Sequence, residues 1–394
     1  MKLRIKDFAV KVGSGITPKG GAEIYQNAGI PLFRSQNVTD DGFLMDDIAY
    51  ISSDIDDSMS GSRVYANDVL LNITGASIGR CYFTAKNFTR GNVNQHVCII
   101  RPRQNIITTK FLYYCLISAI GKEQIKLSQN GANREGLTIE CIKNFSFNIP
   151  SLEKQQTISD FLDIKLKNIN DQILFLSKKK EKFQELKISL INKTVFKGLN
   201  PSAAMKDSGI DWMRKIPAHW HIKAYKRFMT INNGKDYKDI VCDEGEGFPV
   251  IGSGGQFEWA KAYLYNGEAI LLGRKGTIDT PLYINKAFWT VDTMFYSIPA
   301  VKNIYCKYIY YSVLSTPLTK YSTQTALPSM TQTALGNIMY AIPPYEEQVT
   351  IANYLDDKCS KIDTIVEKIS QEVKLLDKLK KSLINEVITG KRTV

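Results

Sequence analysis

The residues best suited to chemistry in this chain are amides and guanidinium groups gathered in short segments between apolar runs. Asn, Gln and Arg side chains each present two hydrogen-bonding groups side by side, which matches the major-groove edges of adenine and guanine. Early in the chain they cluster at Arg34-Ser35-Gln36-Asn37, at Asn72 and Arg80, at Asn92-Val93-Asn94-Gln95-His96, and at Gln129-Asn130 with Asn133-Arg134. A later block carries Gln256, Arg274-Lys275, Asp279, Gln324 and Gln332. The candidate DNA-contacting set is Arg34, Gln36, Asn37, Asn72, Arg80, Asn94, Gln95, Asn133, Arg134, Gln256, Arg274, Lys275 and Gln324. Loop capping or a solvated surface charge is the competing role for each. His96 reads as a hydrogen-bonded residue and not as a ligand. Net charge agrees with the set: 51 Lys and Arg against 39 Asp and Glu leave +12, which calls for a polyanionic partner, most simply double-stranded DNA.

Catalytic patterns are missing. No Gly-x-x-x-x-Gly-Lys-Ser/Thr phosphate loop occurs, so the chain is not expected to hydrolyse ATP. Gly13-Ser14-Gly15 and Gly252-Ser253-Gly254-Gly255 lack the strand–glycine loop–helix context of a dinucleotide site. Pro343-Pro344-Tyr345 is similar to the amine-binding tetrapeptide of adenine methyltransferases, but Ile342 stands where that motif needs Asn or Asp. It reads as a helix start. Glu185-x-Lys187 and Asp356-Asp357-Lys358 resemble nuclease carboxylate–lysine pairs, yet both fall in long helical segments and are expected to be solvated charges. The seven cysteines include no Cys-x-x-Cys pair and read as free thiols in a reducing compartment. Three histidines are too few to favour a metal centre. With no apolar run of about 18 residues and no signal-peptide core at the N-terminus, the expectation is a cytoplasmic protein with no membrane partner. No catalytic residue, metal site or cofactor is assigned to the chain.

These loops must be positioned by something, and the chain repeats itself. Ile149-Pro150-Ser151-Leu152-Glu153-Lys154-Gln155 parallels Ile342-Pro343-Pro344-Tyr345-Glu346-Glu347-Gln348, and Phe161-Leu162-Asp163 parallels Tyr354-Leu355-Asp356. Lys110-Phe111-Leu112-Tyr113-Tyr114 matches Lys307-Tyr308-Ile309-Tyr310-Tyr311, and Gly29-Ile30-Pro31-Leu32 matches Gly247-Phe248-Pro249-Val250. The order is variable block, long helix, variable block, long helix. The boundaries read as 1–150, 151–198, a Trp-containing connector 199–222, 223–343 and 344–394. In the first helix Leu162, Leu166, Ile169, Ile173, Leu176, Phe183, Leu186 and Leu190 form a heptad-like stripe. In the second the stripe is Leu355, Cys359, Ile362, Val366, Ile369, Val373, Leu376, Leu379 and Leu383. Both imply a stutter near Phe183 and Leu376. Ser151 and Pro344 mark the starts, Gly198 and Gly390 the stops. The two stripes are expected to pair antiparallel. The blocks read as mixed α/β heads, with strands at Val69–Ile73, Val97–Ile100 and Ala269–Leu272 and helices at Thr109–Ile120 and Tyr305–Leu314. The Tyr pairs read as core packing.

At these residues the chain resembles a known family. Met205-Lys206-Asp207-Ser208-Gly209-Ile210-Asp211-Trp212 with Ile216-Pro217-Ala218-His219-Trp220, and the two Ile-Pro-x-x-Glu-x-Gln helix starts, are similar to type I restriction–modification specificity subunits. So are Leu71–Arg80 with Asn94–Val97, and Leu272–Ile278 with Trp289–Thr293, as two variants of a target-recognition domain. The resemblance implies a mixed α/β (α+β) fold: two recognition domains separated by a pair of long antiparallel coiled-coil-like helices, with internal pseudo-twofold symmetry. It also implies that each recognition domain reads half of a split, asymmetric site. Two modification subunits and the restriction/translocase subunits dock on the chain, and S-adenosylmethionine, ATP and Mg are expected on those partners. Residues 1–6 form a shortened counterpart of the Trp segment, which the C-terminal tail is expected to complete. A helix of about 43 residues spans roughly 64 Å, so the pair reads as a ruler between the heads. The alternatives are a stand-alone restriction enzyme or methyltransferase with fused recognition domains, and a coiled-coil scaffold with basic protein-binding heads.

Overall fold

The computed structural model describes residues 1–129, 136–323 and 328–394. Contacts divide the chain into two compact units: Met1–Leu176 with Gln371–Val394, and Ser177–Ser370. Each consists of one head and a stretch of two long helices.

In the first unit the strands are β1 (Lys2–Arg4), β2 (Ala9–Ser14), β3 (Ile30–Phe33), β4 (Ala49–Ile51), β5 (Arg63–Val64), β6 (Val69–Asn72), β7 (Cys81–Phe83), β8 (Gly91–Val93), β9 (Val97–Pro102) and β10 (Ser146–Asn148). The helices are α1 (Ile5–Phe8), α2 (Ser53–Ser58), α3 (Thr109–Ile117), α4 (Ala119–Leu127), α5 (Ile139–Asn144) and the first long helix, α6 (Leu152–Lys197). One sheet runs β2-β9-β6-β7 and a second β4-β3-β8-β5, with β3 and β8 parallel. The helix expected over Thr109–Ile120 is broken at Ser118, whose hydroxyl accepts the Gly121 N–H (3.3 Å) and starts α4. Two buried carboxylates are paired with guanidinium groups. Asp68 takes a two-pronged contact from Arg101 (2.7 and 2.8 Å). Asp56 accepts from Arg63 (2.7 Å), Arg90 (2.6 Å) and Asn92 (2.8 Å).

The second unit adds β11 (Met205–Asp207), β12 (Lys215–Pro217), β13 (His221–Ala224), β14 (Met229–Asn233), β15 (Phe248–Gly252), β16 (Gly255–Ala260), β17 (Tyr265–Gly273), β18 (Leu282–Thr290), β19 (Met294–Pro299) and β20 (Met339–Ile342). Its helices are α7 (Cys306–Leu314), α8 (Gln332–Asn337) and the second long helix, α9 (Tyr345–Ile388). Its main sheet runs β14-β19-β17-β18-β15-β16. This is the first head's topology with two changes: β5 has no counterpart among the described residues, and one strand replaces two. The long β18 pairs antiparallel with β17 and, at its far end, parallel with β15, so it combines the roles of β7 and β8. Strand β13 pairs with β20 as β1 pairs with β10, which makes residues 2–4 the counterpart of the segment after Trp220. The connector is packed: Trp220 is fully buried and donates to Glu347 (3.1 Å), and Trp212 donates to the Tyr321 hydroxyl (2.8 Å).

The repeated motifs explain themselves here. Gln155 is fully buried; its oxygen accepts the Thr108 N–H (2.8 Å) and its nitrogen donates to the carbonyls of Ile106 (2.9 Å) and Pro150 (3.0 Å). Gln348 does the same with Tyr305 N–H (2.9 Å) and the carbonyls of Asn303 (3.1 Å) and Pro343 (2.9 Å). About two turns further on, Asp163 accepts from Tyr114 (2.6 Å) and pairs with Lys110. Asp356 accepts from Tyr311 (2.7 Å) and pairs with Lys307 (2.6 Å). Asp356 is therefore not the merely solvated charge expected of it, and the second tyrosine of each pair bonds as well as packs. Both tyrosine hydroxyls are held well above their ordinary pKa, by burial first and then by the adjoining carboxylate.

The long helices run antiparallel in each unit. In the first, Lys154 reaches the Val394 carbonyl while Asn170 meets Lys380 (3.2 Å). In the second, Lys187 pairs with Asp363 (2.6 Å), and Gly198 lies beside Glu347. The expected stutter does not occur. Buried and half-buried positions step by four and three without a break from Leu162 to Thr194 and from Leu355 to Val387. The seam passes through Lys180 and Lys187 on α6 and Lys380 on α9. Leu186 and Leu379, expected in the stripe, are 53% and 51% exposed. A lysine stem covers seam surface while its ammonium reaches the edge, so the 3.5-residue period survives without an apolar residue. Gly198 and Gly390 end the helices with φ of +67° and +75°, the left-handed conformation of a helix stop. Among the described residues, no helix is long and apolar enough to cross a membrane.

Two outcomes follow. Gln348→Ala leaves one backbone N–H and two carbonyls, one of them buried, without their side-chain partner and should cost about 2–4 kcal/mol; an unchanged urea midpoint would refute the mounting role. For Asp56, burial raises the pKa, but hydrogen bonds from Asn92, Arg90 and Arg63 outweigh it and hold the carboxyl below its ordinary 3.8. Its stabilisation is complete above about pH 4 and is lost as pH falls through the depressed folded value. Asp56→Asn should therefore lower stability at pH 7 and flatten the acid dependence, read from denaturation midpoints across pH 2–7.

Candidate nucleic-acid interface

In both heads three chain segments meet at one end of the main sheet. In the first, Gly15 leaves β2 and donates to the Val97 carbonyl (3.2 Å). A Cβ on Gly15 would overlap the carbonyl oxygen of Val93, so only glycine allows this approach. The β8–β9 turn is closed by Val97 N–H to Asn94 O (3.2 Å), and Ile73 N–H donates to His96 O (3.0 Å). In the second head Gly234 leaves β14 and donates to Met294 O (3.0 Å), and a Cβ there would overlap Val291 O. The turn closes by Met294 N–H to Val291 O (2.9 Å), and Arg274 N–H donates to Thr293 O (2.8 Å). Isolated bridges Thr74–Gly136 and Lys275–Ser329 complete the match. Ile73-Thr74 thus corresponds to Arg274-Lys275, and Asn94–Val97 to Val291–Met294.

The same backbone carries different side chains. In the first end the described side chains of the turn are polar and tied together: Thr17 donates to Gln95, Gln95 meets His96 Nε2 (3.0 Å), and His96 Nδ1 meets the Thr74 hydroxyl (2.5 Å). The second end is cationic. Lys235 and Lys275 are exposed, and Arg274 borders a recess of about 360 Å³ with Asn233, Lys275 and Gln332.

The candidate set divides accordingly. Asn37 and Asn72 are buried (1% and 0% exposed) and are corrected to loop anchors. Asn37 donates to the carbonyls of Leu44 and Asp47 (both 3.1 Å), and Asn72 donates to Ser35 O (2.7 Å). Asn94 is also buried, its oxygen accepting His96 N–H (3.1 Å); it caps the turn. Arg34 donates to Asp47 O (2.6 Å) and Gln36 to the Asp47 carboxylate, so both hold the β3–β4 loop. Gln95, Arg80, Gln256 and Lys275 are exposed, and Arg274 is half-buried. Asn133, Arg134 and Gln324 lie outside the described residues. Thr17, Thr74, Asn233 and Lys235 escaped the sequence reading; aligning Gly15 with Gly234 would have found them. Among the described residues, no group of three or more His, Cys, Asp or Glu is placed to hold a metal ion. Burial pushes the Cys98 and Cys306 thiols up to about 12, which leaves them unreactive.

Residues 1–174 and 217–375 match the family described as type I restriction modification DNA specificity domain. The chain belongs to that family. A putative type I restriction enzyme MjaX specificity subunit from Methanocaldococcus jannaschii is 23% identical, over 98% of this chain and 92% of that protein. The type I restriction enzyme EcoBI specificity subunit from Escherichia coli is 31% identical over 33% of this chain and 27% of that one. Among solved structures, a chain described under complex assembly and conformational transition of the type I R-M system aligns at TM-score 0.74 and 13% identity, covering 98% and 97% of the two chains. The HsdS subunit from Thermoanaerobacter tengcongensis aligns at 0.54 and 15% identity, over 100% and 97%. Both likenesses concern the fold. In this specificity subunit the family's repeated phrases divide into two kinds: the Gln and Asp motifs mount the heads, and the glycine-led turns shape the candidate reading ends. Lys275→Ala should weaken DNA binding by the assembled complex on all sequences alike and lower the salt slope by about one; a titration between 50 and 200 mM salt with an unchanged slope would count against a phosphate contact there.

Proposed function

We propose that each head reads one half of a split, asymmetric DNA site through its sheet end, and that this chain performs no chemistry itself. The observation that carries the reading is the pairing of like with unlike: one topology, mounted twice by the same buried glutamine, carries a hydrogen-bonded strip of Thr17, Gln95, His96 and Thr74 in one head and a recess bordered by Arg274 and Lys275 in the other. Two half-sites of different sequence follow from two ends of different chemistry. The net charge of +12 suits a DNA partner. On this reading two modification subunits, binding S-adenosylmethionine, and restriction subunits, using ATP and Mg, dock on the chain and supply methyl transfer and cleavage. All of them would work with DNA in the cytoplasm.

The test is to express the chain with its methyltransferase subunits and map methylated adenines. The expected pattern is two short, different sequences separated by an unspecified gap; one continuous motif, or activity of the purified chain alone, would overturn the reading and favour a fused enzyme. The helix pair is further proposed to set the gap. Adding one heptad to each helix, at equivalent places, lengthens it by about 10 Å, so the gap should grow by about three base pairs while both half-sites stay the same. An unchanged gap in the methylation map would sink the ruler.

A further inference from the structure

We infer that Arg274 reads a guanine in the half-site of the second head. The inference rests on the proposed reading of DNA by the heads, and it adds the chemistry of one contact. Arg274 directly follows β17, and its backbone is held on both sides: its N–H donates to Thr293 O (2.8 Å) and its carbonyl accepts Met330 N–H (2.9 Å). Its guanidinium lies 5.7 Å from the centroid of the Phe295 ring, which is 2% exposed. The position of the fork is thus set by a fixed backbone and a buried aromatic support. The fork itself is almost unused. Among the described residues its one side-chain hydrogen bond is long, 3.4 Å from Nη1 to Asp292 O, and no carboxylate pairs with it.

Four arginines of the first head make the contrast. Arg34, Arg63, Arg90 and Arg101 each engage an aspartate, so their forks hold the fold. A supported, unpaired guanidinium at the mouth of a recess presents parallel N–H groups to two adjacent acceptors. The O6 and N7 atoms of guanine are such a pair in the major groove. A phosphate also offers two acceptors, but the exposed Lys275 beside it already suits a phosphate, and it lacks a planar fork. In the first head the corresponding residue is Ile73, 6% exposed, and Thr74 is bonded to His96. That turn has no fork at this position.

The experiment uses the assembled complex with its methyltransferase subunits, once its methylated site is mapped. Each guanine of the site is replaced in turn by 7-deazaguanine, which lacks the N7 acceptor, and binding is measured for the wild type, Arg274→Ala and Arg274→Lys. We expect one guanine, in one half only, whose replacement weakens wild-type binding roughly tenfold to a hundredfold. Arg274→Ala should be insensitive to that replacement, and Arg274→Lys, which keeps the charge, should keep the wild-type salt slope. Equal 7-deaza losses in wild type and variants would overturn the inference, as would a loss in Arg274→Ala that is uniform across sequences and accompanied by a lower salt slope. Either result leaves the two-half reading standing. Absence of any bipartite site would overturn both.

Discussion

A single buried amide at the start of each long helix is the contact on which the rest of each unit depends. Gln155 and Gln348 each satisfy one backbone N–H and two carbonyls where the head's chain passes under the helix N-terminus. Those backbone groups have no strand or helix partner, and buried unpaired they would each cost about 1–3 kcal/mol. The glutamine therefore ties the loop before α3 or α7 to the helix at a defined spot. About two turns later the aspartate, tyrosine and lysine set the rotation of the same helix. Orientation of a head against its helix is thus specified by polar geometry, whereas apolar packing alone tolerates sliding.

The helix seam shows a second use of polar residues. An unbroken 3.5-residue period keeps one stripe of each helix facing the other. Where Lys187 and Lys380 interrupt the apolar run, each finds its partner at the corresponding position of the opposite helix, Asp363 in one unit and Asn170 in the other. A lysine in a seam lowers stability but favours the one register in which its ammonium is bonded. The neutral Asn170 is matched by a further ion pair from Lys380 to Asp41, so the two units solve the same seam problem with different charges.

Between framework and reading end the division of labour is sharp. The glycine exits at Gly15 and Gly234 and the turns closed at Val97 and Met294 are superimposable in logic, since a carbonyl stands where any side chain would begin. The side chains around them owe nothing to the fold, and they differ completely: Gln95, His96 and Thr74 in one head, Arg274, Lys275 and Asn233 in the other. On the reading proposed above, specificity changes there without disturbing the mounting.

From the residues alone, the repeat, the two long helices with their glycine stops, the mixed α/β heads and the family were legible, because periodicity and paired phrases are local and survive in a single sequence. The seam was partly legible: leucine counting placed Leu186 and Leu379 inside, whereas helix pairing put lysine stems there, since phase is set by the partner and not by hydropathy. The reading residues were the least legible. Asn37, Asn72 and Asn94 have the composition of base contacts, but the amides of Asn37 and Asn72 serve backbone carbonyls further along the chain and Asn94 caps its own turn. Whether an amide faces solvent or a carbonyl is decided by which loops fold over it, and that choice belongs to the tertiary structure.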